Sequence, residues 1–366
     1  MSNERDVPRS VAIRTAFAHH AANSGYKRIL EYTKPSDVLG VDEVAGIAVP
    51  RLARKYRFAA EFTAYRRHQV SSFDLIHVLY GEEYFRFSKR LFPKTPVVAT
   101  FHQPPEVLER EIEHGDPMGR AYRIAHLLNR NRFEQLDAAI VITEAQKAVL
   151  SKVMDPSRIH VIPLGCDSAP LIAQANEVHP PANYSEILTV GNWLRDWDAY
   201  FEFVEFCRRA RPDWTFRLIN RKLSEACQLK ARGMSNLIYQ SDASDAELVW
   251  AYRRAAVQFL PFKEATGNNS LNEGLACGCP VVTNISVNLP QSEQFSKTVP
   301  LDFEQLLVAI EPWIGESYAD RDGRVALAQA AAQSMDWATV GEKTLAVFRD
   351  AILKGTSENL PLSSYR

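Results

Sequence analysis

The feature that most limits what this chain can fold into is its rhythm. Near-continuous apolar runs, "VAIRTAF" (11–17), "FDLIHVLYG" (73–81), "PVVATF" (96–101), "AAIVIT" (138–143) and "IHVIPLG" (159–165), alternate with amphipathic stretches such as 118–136 and 144–154. A short apolar run bounded by Gly, Pro or polar turns suits a strand buried on both faces, and so a parallel sheet with helical crossovers. A polar, proline-bearing interval, "AQANEVHPPANYSE" (173–186), reads as the passage between two domains. The rhythm then restarts with "ILTVGN" (187–192), "TFRLIN" (215–220), "NLIYQ" (236–240), "VQFLPF" (257–262) and "PVVTN" (280–284), and turns mostly helical after residue 300. The expected architecture is α/β: two doubly wound, Rossmann-like domains facing each other across a cleft, with ligands at the carboxyl ends of the strands.

Composition narrows the function classes. The 366 residues are 46% apolar and 24% charged, with a formal net charge of -1. That balance is ordinary for a globular chain and gives no reason to expect nucleic acid. The five cysteines are scattered and odd in number, so no disulfide framework is suggested. Nothing near Cys277 and Cys279 completes a zinc set, and they read as small buried thiols in a reducing compartment. "MSNERDVPRS" lacks an apolar signal core, and no uncharged run reaches membrane-spanning length. A cytoplasmic protein is expected, able to work at the inner face of a membrane. One stretch departs from neutrality: 51–68 carries Arg51, Arg54, Lys55, Arg57, Arg66 and Arg67 against Glu61. It suits either a solvated helix face or contact with an anionic membrane or acidic acceptor.

The segment richest in chemistry is "EATGNNSLNEGLACGCPVV" (264–282), a strand-to-helix loop with a helix expected from Leu271 to Pro280. Ser270 and Glu273 have capping-box spacing, which explains those two residues as helix caps. It leaves Gly267, Asn268 and Asn269 unexplained, along with Gly274 and Ala276, whose small size would let another group approach. Bare N–H groups at the positive end of a helix make a phosphate site.

With "GCPVV" directly after it, this loop resembles the donor-binding segment of retaining GT-B glycosyltransferases of family 4. Other segments agree in order: "FDLIHVLYGE" (73–82), "VVATFHQPPE" (97–106), "RFEQLDAAIVITEAQKAVL" (132–150), "RIHVIPLGCD" (158–167), "ILTVGNWLRDWD" (187–198) and "SMDWATVGEKTLAVF" (334–348). The resemblance runs from about residue 70 onward; before that the glycine-rich opening loop is missing. It implies an acceptor-side domain over 1–167 and a donor domain over 168–337. A helix at about 338–356 would pack back on the first domain, before a polar tail over 357–366.

The resemblance also implies the chemistry. A hexose would move from a nucleotide diphosphate-sugar to a glycan or lipid-linked acceptor with retention, without metal or other cofactor. Glu273 would hold the ribose hydroxyls, while Asn268, Asn269, Ser270 and Leu271 would meet the diphosphate and sugar beside Gly191 and Asn192. Arg195 and Lys222 are the candidate cations, and each also reads as an ordinary surface charge. His102 would touch the donor sugar, and the leaving diphosphate itself would take the acceptor's proton. Glu264 departs from the pattern. The family's two glutamates stand one residue closer together, and Ala265 occupies the place of the first. Either the loop is a residue longer and Glu264 still reaches the sugar, or that role is lost.

Alternatives are a nucleotide-sugar 2-epimerase of the same fold, a catalytically degenerate GT-B partner subunit, a metal-dependent transferase using Asp196-Trp197-Asp198, and a glycoside hydrolase with paired carboxylates. No G-x-G-x-x-G follows any strand, which argues against a dehydrogenase.

Overall fold

The computed structural model describes residues 8–14, 25–40, 57–115, 120–179, 185–287 and 294–358. The chain divides into two compact units. One comprises Met1–Leu164 with Trp337–Arg366, the other Gly165–Asp336.

The first unit is built on six strands: β1 (Ser10–Ile13), β2 (Asp37–Leu39), β3 (Leu75–Val78), β4 (Val97–Phe101), β5 (Ala138–Val141) and β6 (Ile159–Val161). They lie in the order β2-β1-β3-β4-β5-β6, with every described pairing parallel. β1, β3, β4 and β5 are buried along their whole length, as their apolar runs require. β2 escapes the apolar pattern because it is three residues long and sits at the sheet edge. The long helix Trp337–Glu358 completes this core with Trp337, Val340, Val347, Phe348 and Ala351. Gly341 lets it approach the helix Ile29–Thr33, since a Cβ there would lie 2.5 Å from Tyr32 Cβ.

The second unit holds β7 (Glu186–Val190), β8 (Thr215–Ile219), β9 (Leu237–Gln240), β10 (Val257–Leu260), β11 (Val281–Thr283) and β12 (Ser296–Thr298). The order is β12-β11-β10-β7-β8-β9, again with parallel pairings. β12 reads as "SKT" and carries no apolar signal. Chain order reverses between β7 and β10, which are hydrogen-bonded neighbours with the later strands on one side and β8 and β9 on the other. Loops leaving the carboxyl ends of such a pair diverge and open a crevice, the usual ligand position in this class of sheet. The loops concerned are 191–196 and 261–268.

Candidate functional site

The residues singled out in the sequence fall on both units, and each unit is described by itself. In the second, Gly191 follows β7 in the left-handed region (φ 89°), and Leu194 adopts φ 56°, uncommon for a non-glycine residue. The loop is fastened to its neighbour after β10: Lys263 N–H donates to Leu194 O at 2.9 Å and Asp196 N–H to Pro261 O at 3.0 Å. Asp196 also accepts from Ala199 N–H at 3.2 Å, capping the helix Trp197–Ala210. That ordinary role accounts for half of the formal D-x-D. Trp193, 62% exposed, projects from the same turn.

Arg195 is the centre of the arrangement. Only 3% exposed, it donates through Nη2 to Val190 O (2.8 Å), Ser270 Oγ (3.0 Å) and Asn268 Oδ1 (3.4 Å), and through Nη1 to Trp193 O (3.3 Å). Its guanidinium lies 4.3 Å from the Phe262 ring centroid, and among the described residues Nε, which is buried, has no hydrogen-bond partner. Among the described residues no carboxylate pairs with it. Burial draws its pKa down to about 9, so at neutral pH it remains a cation. A buried cation with neutral partners is costly unless an anion completes it. A Cβ on Gly191 would sit 3.4 Å from Arg195 Nη2 and 3.8 Å from Ser270 Oγ. The glycine therefore keeps clear the space over this cation.

The helix Asn269–Ala276 starts beside it. Asn268 is the N-cap and accepts from Ser270 N–H (3.1 Å) and Ser270 Oγ–H (2.5 Å). This corrects the expected Ser270–Glu273 capping box. The helix begins two residues earlier than Leu271, and Glu273 instead accepts from Tyr252 Oη at 3.2 Å. Burial raises the Glu273 carboxyl pKa, with the Tyr252 bond opposing the rise. The side chains of Leu271 and Ala276 are buried in the apolar core, so only the Leu271 backbone is available to a ligand. Gly274 does not open a path for a ligand either. A Cβ there would come within 2.9 Å of Gln258 Oε1, and the small residue serves the packing of helix on sheet.

Asn192 is exposed and accepts from Asn220 Nδ2 at 3.2 Å. Asn220 is buried at the end of β8, and its Oδ1 accepts from Lys222 N–H at 2.8 Å. The Lys222 side chain is exposed. Glu264 is partly buried, and among the described residues its carboxylate has neither a hydrogen bond nor an ion pair. Asn269 is likewise partly buried, with its side chain unengaged by described residues.

In the first unit, His102 follows β4. Its ring lies edge-on to Tyr26 (centroids 4.3 Å apart) and tilted against Tyr80 (4.7 Å). Nε2 lies 2.7 Å from Leu79 O; since a carbonyl only accepts, Nε2 carries the proton. The surrounding backbone is held from both sides. Glu82 Oε1 accepts the N–H groups of His102 and Gln103, the latter at 2.6 Å. Gln146 Nε2 donates to the carbonyl oxygens of Phe101 (3.3 Å) and Gln103 (2.7 Å). Burial pushes the Glu82 carboxyl up to about 8, and among the described residues its Oε2 has no hydrogen-bond partner.

Several supporting residues were not anticipated. Gln258 had a visible signal, an amide inside the apolar run "VQFLPF", and a buried amide of that kind needs a partner. It donates to Ser270 O at 3.0 Å. Gln146 shows only the T-x-x-Q capping spacing with Thr143, while its bonds to Phe101 and Gln103, like those of Asn220 to Asn192 and of Tyr252 to Glu273, join segments distant in sequence and gave no signal.

Six parallel strands in each unit, with the second in the doubly wound dinucleotide-type order, are the GT-B class of fold. By sequence, residues 16–169 match the model of the family described as Glycosyltransferase Family 4. No curated protein matches the chain by sequence. Among solved structures, sucrose-phosphate synthase from Thermosynechococcus elongatus is similar over 94% of this chain and 100% of its own, at 16% identity and TM-score 0.66. HepE from Anabaena, in complex with UDP and glucose, is similar over 93% and 99%, at 13% identity and TM-score 0.61. The N-terminal domain of trehalose-6-phosphate phosphatase from Candida albicans is similar over 94% and 97%, at 9% identity and TM-score 0.70. At such identities these likenesses establish the fold and leave the activity to the site.

Proposed function

We propose that the protein is a nucleotide-sugar-dependent glycosyltransferase that moves a hexose to a glycan or lipid-linked acceptor with retention, without a metal ion. The observation that carries this reading is the buried, uncompensated Arg195 cation beside the start of the helix Asn269–Ala276, at the switch point of the second sheet. A nucleoside diphosphate would supply the missing anion. Gly191 leaves room for phosphate oxygens, and the helix start adds N–H groups and a positive dipole end. Charge-assisted bonds to such an anion are worth about 1.5–3 kcal/mol each. They would strengthen as negative charge gathers on the leaving diphosphate. Glu273, shaped by Tyr252, is assigned to the ribose hydroxyls, and His102 to the donor sugar. The match to Glycosyltransferase Family 4 supports the reaction class.

The test is thermal shift with UDP, GDP and ADP and their hexose conjugates. At a hundredfold excess over Kd one of them should stabilise the folded chain by about 2.7 kcal/mol. Absence of a shift with every nucleotide would remove the reading. A partner-subunit role without turnover is the second possibility, and the one-residue displacement of Glu264 favours it. Glu264→Gln decides between them: a strong loss of transfer with unchanged nucleotide binding assigns the carboxylate to the reaction, whereas binding without any transferred product, even by the native chain, assigns the protein to a partner role.

A further inference from the structure

Three buried arginines gather where two helices of the second unit end. Arg253 stands in the last turn of the helix Asp245–Arg254, and Arg321 and Arg324 share one face of the helix Tyr318–Gln333, three residues apart. The last carbonyl oxygens of a helix have no partner within it and carry partial negative charge, so cations are drawn to them. Two of the arginines have that ordinary duty. Arg321 Nη2 donates to Arg253 O, in the final turn of its helix. Arg324 Nη1 donates to Gly278 O (3.0 Å), just past the end of the helix Asn269–Ala276, and its Nη2 to Glu316 Oε2 (2.6 Å). Arg253 has no such duty. It is 8% exposed, Nε and Nη1 are buried with no hydrogen-bond partner among the described residues, and no carboxylate there pairs with it. The basic stretch 51–68 offers no comparable group: residues 51–56 lie outside the described residues, and Arg57 and Arg67 pair with Glu83 and Asp37.

We infer that Arg253 is the core of a second anion site, which takes a phosphate group, either free or on a small ester. A buried guanidinium beside other cations is costly unless an anion completes it. Its planar fork can hold two oxygens of an oxyanion at once. Phosphate suits the place better than a carboxylate, because more than one cation stands here to meet its second negative charge. The residual exposure of Arg253 leaves an entrance from solvent. The site shares no residue with the arrangement around Arg195, so it stands whether or not the donor reading does.

The experiment is equilibrium dialysis of the full chain against radiolabelled inorganic phosphate at constant ionic strength, with Arg195→Met used to silence the donor site. The Arg195→Met chain should still bind phosphate, and adding Arg253→Met should weaken that binding at least tenfold, as expected for the loss of a charge-assisted pair. Unlabelled glycerol 3-phosphate is the competing ester. Displacement of label at a lower concentration than unlabelled phosphate needs assigns the site to an ester, and at a higher one to the free ion. Arg253→Met should keep or raise the melting temperature, since it removes an unbalanced buried charge. Arg253→Lys, which keeps the charge and loses the fork, is the second variant and should weaken phosphate severalfold in a chain that folds as the native one does. The inference is overturned if Arg195→Met alone abolishes phosphate binding, or if both Arg253 variants bind phosphate as tightly as the chain that carries the arginine.

Discussion

At the scale of single residues, the site depends on side chains that neighbours leave incomplete. Arg195 is buried among neutral partners, so removing its charge removes a cost as well as some hydrogen bonds. Arg195→Met is therefore expected to leave the melting temperature of the free protein unchanged or higher while weakening nucleoside diphosphate binding at least tenfold; calorimetry with and without nucleotide checks both halves. A melting temperature lowered by several degrees with binding intact would make Arg195 a structural tie between the two loops. Glu82 carries a pH prediction. Its folded pKa of about 8 lies above the unfolded value near 4.3, so the folded chain holds the extra proton between those limits. Stability from this group is thus lost as pH rises through the window, by at most about 1.4 kcal/mol per pH unit. Glu82→Gln should flatten the fall in melting temperature between pH 5 and 8. Glu61, raised by burial to about 7, leaves a residual slope. What the sequence could show here was residue type and position in a loop. It could not show that Arg195 lacks a counter-ion, because that depends on which distant segments pack around it.

At the scale of elements, the helix Asn269–Ala276 separates capping from binding. Asn268 satisfies its first turn, so Asn268→Ala should cost about 1 kcal/mol of stability, measured by urea denaturation. Gly274→Ala should cost more, since the added methyl would meet Gln258 Oε1 on the strand beneath, and the buried amide has little freedom to give way. If the alanine is tolerated without loss, the helix does not sit on β10 as described. The strands in this region were legible because β7 and β10 bury near-continuous apolar runs and β8 buries alternate ones. The helix start was displaced because Asn268, Ser270 and Glu273 all have side chains able to cap, and spacing alone does not choose among them. β2 and β12 were missed for the opposite reason: three-residue edge strands satisfy their pairing without an apolar pattern.

At the scale of the molecule, the return of the last helix to the first unit is the main organisational fact. Trp337, Val340, Val347, Phe348 and Ala351 lie in a core whose other buried members come from residues before 165. A chain ending at residue 336 should therefore keep a folded second unit that still binds nucleotide, while the first unit loses cooperative melting. Hydrogen exchange on that truncated chain would test this. Protection of β3, β4 and β5 equal to that in the full protein would show that the helix is dispensable.

The same arrangement sets an order of birth. The ribosome finishes the whole second unit before the segment that seals the first has emerged, a delay on the order of tens of seconds. Throughout that delay the earlier-made sheet carries an unsealed oily flank beside Tyr26 and His77, against which Trp337 and Phe348 later pack edge-on. Newly made copies are thus most open to clumping until the helix Trp337–Glu358 has emerged. A stop codon placed just before residue 337 would damage the part of the protein that was translated first.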